Sequence, residues 1–272
     1  MNAPAAMLRN APVLERETRD GVALLTMNRP EQRNPLSEDM LAALMESFGT
    51  IAADPHVRAV VLAAKGPVFC SGHDLKELTA HRADADGGRR YFQEIMDTCS
   101  TMMQAIVNLP QPVIAAVQGL ATAAGCQLVA SCDLAIASLQ AKFCTPGVNI
   151  GLFCSTPMVA LSRNVAAKHA MEMLLTGDII DPEEARRIGL INRVVEPGAE
   201  TQAALDLAST IAQKSTTTVK IGKQAFYRQR EMPLAEAYRY ASQVMTENMM
   251  AHDAEEGICA LLEKRPPKWE DR

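Results

Sequence analysis

Gln118-Gly119-Leu120-Ala121-Thr122-Ala123-Ala124-Gly125-Cys126-Gln127-Leu128-Val129-Ala130-Ser131-Cys132-Asp133 is the stretch that decides the architecture. The apolar run that leads into it, Val113-Ile114-Ala115-Ala116-Val117, reads as a buried strand. Gly119 and the small residues Thr122, Ala123, Ala124 and Gly125 follow, and a helix then runs through Leu128 and Val129. A strand that enters a helix through glycine and alanine leaves the first backbone N–H groups of the helix unscreened by side chains. Such a place suits an anion, or a carbonyl oxygen that gains negative charge during a reaction. The same small residues would equally serve plain close packing of a helix on a sheet, and the stretch alone leaves both readings open.

Outward from this unit the pattern repeats. Val22–Met27 and residues 57–64 read as strands, the second covered on both faces because its apolar residues hardly alternate. Ser37 is placed to cap a helix with Met40, Leu41, Leu44, Met45 and Phe48 at helical spacing. Asp74 is placed to cap a short helix, with Glu77 completing a capping box. His81 to Gly88 reads as a mobile polar loop, followed by an amphipathic helix from about Arg89 to Asn108 that ends at Leu109-Pro110-Gln111-Pro112. Leu134–Ala137 is a further strand, and Asp133 before it reads as a turn residue. Strands alternating with helices define an α/β protein, and after about residue 155 helices take over. Asp181-Pro182-Glu183-Glu184 and Asp253-Ala254-Glu255-Glu256 read as helix starts. The expected organisation is an Ala/Pro-rich flexible segment at 1–12, a core at 13–198 and a helical region at 199–272.

Composition narrows the function. A chain of 272 residues, 48% hydrophobic and 22% charged, buries a substantial core. The net charge of −5 argues against a nucleic-acid surface, and no apolar run approaches the roughly 20 residues that span a bilayer. The seven cysteines show no C-x-x-C pair, which suits reduced thiols in the cytoplasm and no metal site.

Four ordered blocks carry a resemblance over about residues 13–268. They are Phe69-Cys70-Ser71-Gly72-His73-Asp74-Leu75-Lys76, the 118–133 stretch, Leu175-Thr176-Gly177 with Ala185–Val195, and the ending from Asp253 to Pro266. Together they resemble the enoyl-CoA hydratase/isomerase (crotonase) superfamily. Ala121–Ala130 and Thr145–Pro157 are most similar to its enoyl-CoA hydratase domain-containing protein 3 subgroup. The resemblance implies a spiral of ββα units, a C-terminal trimerising part and a homotrimer or dimer of trimers. It implies a CoA thioester as the small-molecule partner, with no permanently bound cofactor. The thioester oxygen would lie between the backbone N–H groups of His73 and Ala124, with His73, Asp74, Leu75 and Lys76 along the CoA side.

Two positions depart from the family's hydratases. Gln127 stands where the first catalytic glutamate is expected, and Gly147, after Phe143-Cys144-Thr145-Pro146, where the second is expected. Glutamine orients water but transfers no proton at neutral pH, and glycine supplies only space. Standard hydration is therefore not expected. Gly147 beside Thr145 leaves room for an ion such as bicarbonate to serve as the missing base. Replacement groups include Cys154 as a nucleophile, Ser155, the His73 imidazole, and the acids Glu94, Asp97 and Asp133. Set against these roles, Cys154 reads as a buried structural thiol and Ser155 as the cap of the next helix. Glu94 and Asp97 read as a solvated helix face. The competing functions are an acyl-CoA lyase-type enzyme with altered chemistry, a non-catalytic acyl-CoA binder, and a thioester isomerase or hydrolase with a relocated group.

Overall fold

The computed structural model describes residues 11–272. Most of the predicted flexible N-terminal segment lies outside them. Ala11 and Pro12, at its end, are held by their carbonyls, which accept from the Arg29 guanidinium at 2.9 and 3.2 Å.

Nine strands form two sheets. The larger contains β1 (Leu14–Arg19), β2 (Val22–Met27), β3 (Ala59–Ala64), β5 (Val113–Val117), β7 (Leu134–Ser138) and β9 (Arg193–Val195), in that spatial order. Only the β1–β2 hairpin is antiparallel. The smaller sheet is parallel and contains β4 (Val68–Cys70), β6 (Leu120–Thr122) and β8 (Lys142–Cys144). Consecutive strands thus alternate between the sheets before each helix: β3 then β4, β5 then β6, β7 then β8. This is the expected ββα spiral.

β3 and β5 are covered on both faces, as their unbroken apolar sequences require. Val60, Leu62, Val113, Ala115 and Val117 face the main core, which includes Phe48, Phe69 and Phe143. Their neighbours Val61, Ala63, Ile114 and Ala116 face the other way, onto Ala204, Ala208 and Ala212. Those three alanines fall at i, i+4 and i+8 on α8 (Glu200–Ala212) and let the helix lie close to the sheet.

The Ser37 hydroxyl accepts from the Met40 N–H at the start of α1 (Glu38–Ala53), as predicted. Asp74 caps α2 (Leu75–Ala80) by accepting from the Lys76 and Glu77 amides. Glu77 does not complete the expected box. Its carboxylate accepts instead from the Glu38 N–H at 3.1 Å and so caps α1. The 81–88 segment is a series of hydrogen-bonded turns ending in Asp86, whose carboxylate accepts from the Gly88 and Arg90 amides at the start of α3 (Arg89–Asn108). Asp181 caps α7 (Pro182–Arg187) as its sequence indicates. Asp253 does not cap; Ala251 takes that place, and the Asp253 carboxylate, buried, accepts from the Glu270 and Asp271 amides of the tail.

A second correction concerns Asp133, which is far more than a turn residue. Between α4 (Ala124–Ser131) and β7, it accepts from the Val113 N–H at 2.7 Å, the Lys223 ammonium at 2.7 Å and the Tyr227 hydroxyl at 2.9 Å. Lys223 and Tyr227 lie on α9 (Thr216–Gln229), so this buried pair ties the C-terminal helices to the central unit. Burial pulls the lysine's pKa down, and Asp133 opposes that pull. The acid is committed to structure and is not a free base.

Candidate active site

The central unit is built by close approach. A methyl group placed on Gly125 would lie 2.2 Å from the Cys70 carbonyl oxygen, and one on Gly119 would lie 2.0 Å from that of Pro67. Only glycine lets α4 and β6 reach β4 at these points. Close packing and an exposed helix start, the two readings of the sequence, are one arrangement. The approach brings the 70–74 loop against the first turn of α4: a methyl on Gly72 would sit 3.3 Å from the Ala124 nitrogen.

Ala123, just before that nitrogen, has φ 51° and ψ −119°, a conformation that costs an L-residue on the order of 1–3 kcal/mol. Its own N–H donates to the Cys144 carbonyl at 3.0 Å and its carbonyl accepts from the Gln127 N–H at 3.1 Å, so the strained peptide is held from both sides. The Ala124 and His73 backbone donors are both left without an intramolecular acceptor among the described residues.

The His73 imidazole adds no charge here. Both ring nitrogens are buried without hydrogen-bond partners, and burial lowers its pKa, only partly opposed by the Leu36 backbone, so the ring is neutral at pH 7. Beyond it, Leu75 and Lys76 are exposed on the first turn of α2.

Gln127, three residues after Ala124 on α4, is buried at 5% exposure, and its Oε1 has no partner. It lines a cavity of about 770 Å³ bounded by α3, α4, α5 (Ser155–Asn164), α9 and α10 (Leu234–Met249). Gly147 is not in that wall. Its Cβ direction is filled by the Leu152 carbonyl oxygen at 2.8 Å and Cys154 Sγ at 2.9 Å, and the Thr145 hydroxyl is spent on the Met173 carbonyl at 2.9 Å. The 147–154 turn thus folds back onto Gly147, and the space directly off its Cα, where room for a bicarbonate ion is expected from the sequence, is occupied. Gly147→Glu should destabilise the fold by about 1–3 kcal/mol through overpacking, read as a lower denaturant midpoint, and should add no hydration activity. A stable, faster variant would show that the turn opens readily.

Cys154 is buried, and burial raises its pKa, with only the Gly147 backbone opposing, so it is a thiol and not a thiolate at neutral pH. Burial also pushes up the thiols of Cys126 and Cys144. Ser155 does not cap α5. It is the first helical residue, behind Cys154, and its hydroxyl donates to the Phe153 carbonyl at 3.4 Å. Glu94 and Asp97 lie on the exposed face of α3, paired with Arg90 and Gln93. Among these candidates, only Gln127 shares α4 with the free Ala124 donor.

Comparison with known proteins identifies the family. Residues 17–272 match the enoyl-CoA hydratase/isomerase family. The chain belongs to that family. It is 45% identical over 262 residues to enoyl-CoA hydratase domain-containing protein 3, mitochondrial, of Xenopus laevis, covering 96% of this chain and 87% of the relative. The human protein of that name is 47% identical over 250 residues, covering 92% of this chain and 81% of its own. Among solved structures, an enoyl-CoA hydratase from Mycobacterium smegmatis superposes with a TM-score of 0.90 at 51% identity, covering 95% of this chain and 99% of that one. The crystal structure of the human domain-containing protein 3 gives 0.90 at 46%, covering 94% and 100%. The fold is the crotonase fold, and no helix among the described residues is long and apolar enough to cross a membrane.

Proposed function

We propose that this crotonase-family chain binds an acyl-CoA thioester with its carbonyl oxygen between the His73 and Ala124 amides, and that its reaction is not standard enoyl-CoA hydration. The observation that carries this reading is the pair of unpartnered N–H groups, on a loop and a helix start that approach closely beside the strained Ala123 peptide. Two fixed amides stabilise a thioester enolate, and one such donor is worth ~3–4 kcal/mol of transition-state energy in other enzymes. Coenzyme A enters as part of the substrate, along His73, Asp74, Leu75 and Lys76.

The second half of the proposal rests on what stands at positions 127 and 147. Glutamine holds a water or a hydroxyl but exchanges no proton, and Gly147 faces the Leu152 carbonyl and not the cavity. An acid–base pair contributing ~10²–10⁴-fold per group is missing. Crotonyl-CoA turnover is expected to be close to background while acetoacetyl-CoA binds the same sample. Rapid hydration would overturn the chemical half, and absence of thioester binding would overturn the whole.

For assembly we retain the trimer or dimer of trimers, with residues 199–272 as its contact region. Leu234, Tyr238, Met245, Leu261 and Leu262 are each more than half exposed on α10 and α11 (His252–Glu263), which supports burial against other subunits. A monomeric mass by sedimentation would remove that reading. The cytoplasm remains the proposed location, supported by the seven unpaired cysteines.

A further inference from the structure

The cavity past Gln127 has an unusual wall for a fatty-acyl tail. Its apolar members are Met103, Val107, Ala130, Val159 and Ala160. The rest of the wall is polar or charged, and among the charged residues three are arginines (163, 228 and 230) and one is Glu231. Arg163 Nε pairs with the Glu231 carboxylate at 3.3 Å. Arg228 rests over the Tyr240 ring at 4.7 Å, and Arg230 rests over the Phe226 ring at 5.5 Å and donates to the Arg163 carbonyl; neither is paired with a carboxylate among the described residues. A chain whose net charge is −5 thus places two solvent-exposed guanidinium groups without carboxylate partners along one cavity.

The cavity also has a direction. Residues 73–76, on the proposed CoA side, do not line it, whereas Gln127, Ala130 and Ser131 of α4 do. At a helical rise of about 1.5 Å per residue, Ser131 lies roughly 10 Å beyond the Ala124 amide. An acyl chain that starts at the thioester and follows α4 therefore passes the orphan Gln127 Oε1 and ends near the arginines. A hydrocarbon tail there would leave that buried acceptor unpaired.

We infer that the cavity selects an acyl-CoA whose acyl chain ends in a carboxylate, read by Arg228 and Arg230. The inference rests on the acyl-CoA reading of the site and adds the substrate class. Guanidinium and carboxylate make charge-assisted, paired hydrogen bonds, and Gln127 would meet a polar substituent or a water nearer the thioester.

The test compares hexanoyl-CoA, adipoyl-CoA and free CoA by calorimetry, with the whole protein at low ionic strength. Adipoyl-CoA differs from hexanoyl-CoA by a carboxylate in place of the terminal methyl. It is expected to bind about tenfold tighter or better, with the advantage shrinking as salt is raised. The double variant Arg228→Gln/Arg230→Gln should erase that advantage while leaving hexanoyl-CoA and free CoA unchanged, which also reports that the protein is folded. Equal or tighter binding of hexanoyl-CoA would overturn the inference alone. Equal weakening of all three ligands by the double variant would also overturn it, assigning the arginines to CoA phosphates. If no thioester binds the unmodified protein, the acyl-CoA reading itself has failed.

Discussion

Replacing Ala124 by proline should remove one of the two donors on which thioester recognition is proposed to depend, at a cost in stability because proline restricts the strained Ala123 before it. Ala124 is the first residue of α4, where proline fits a helix and where the lost N–H has no intramolecular partner to forfeit. The expected loss is about 10²–10³-fold in turnover of any accepted thioester, the effect of deleting one oxyanion donor. Acetoacetyl-CoA affinity, which reads the same contact in a stable ligand, should fall by about tenfold or more. Ala124→Ser keeps the amide and nearly the same volume, and is expected to retain affinity within a few-fold. Equal behaviour of the two variants, with both folded, would show that the N–H is not the recognition element.

The second large effect concerns stability. Lys223→Met leaves the Asp133 carboxylate buried at 14% side-chain exposure without its cation, and frees the Ile106 and Gln111 carbonyls that Lys223 holds at 3.0 Å each. Breaking a buried pair from one side costs about 3–5 kcal/mol, and chemical denaturation should show it as a lower midpoint. Adding Asp133→Asn should recover a large part of the loss, since the stranded charge is gone. A double-mutant cycle with no coupling between the two positions would refute the role assigned to this pair. Tyr227 lines the cavity beside Gln127 and shares Asp133, so loosening α9 should also weaken the ligand binding proposed there.

How far the sequence carried the description depended on the range of the interactions involved. The 113–131 unit, α3 from Arg89 to Asn108 and the Ser37 and Asp181 caps were legible, since each follows from neighbours within a few residues. The small sheet was not, because β4, β6 and β8 are three residues each, too short to show a period of two. Residues 57–64 read as one strand, yet pairing with β2 starts only at Ala59. Glu77, Asp133 and Asp253 were misread for one reason. Each is a carboxylate at a place where a local cap or turn is chemically reasonable, and each is engaged by a partner far along the chain. The Asp133–Lys223 bond spans 90 residues.

At the candidate site the same limit applied. Gln127 and the two proposed amide positions are read from the motif they sit in, but the crowding at Gly147 depends on a turn that closes through Leu152 and Cys154. A glycine in sequence looks like empty space; here neighbouring backbone and sulfur occupy it. Arg228 and Arg230 escaped notice entirely. On an exposed helix face they resemble any solubilising charge, and only the cavity brings them into one wall with Gln127.

The tie between Asp133 and α9 has a consequence for the order in which the protein is made. A ribosome releases the strands and α4 well before it reaches Lys223, so for about 90 codons the emerging chain carries the acid without its cation. During that interval one wall of the cavity beside Gln127 does not yet exist, because Tyr227 and Arg228 lie on α9. The complete cavity, and with it the ligand binding proposed for it, is gained late in synthesis, when α9 docks.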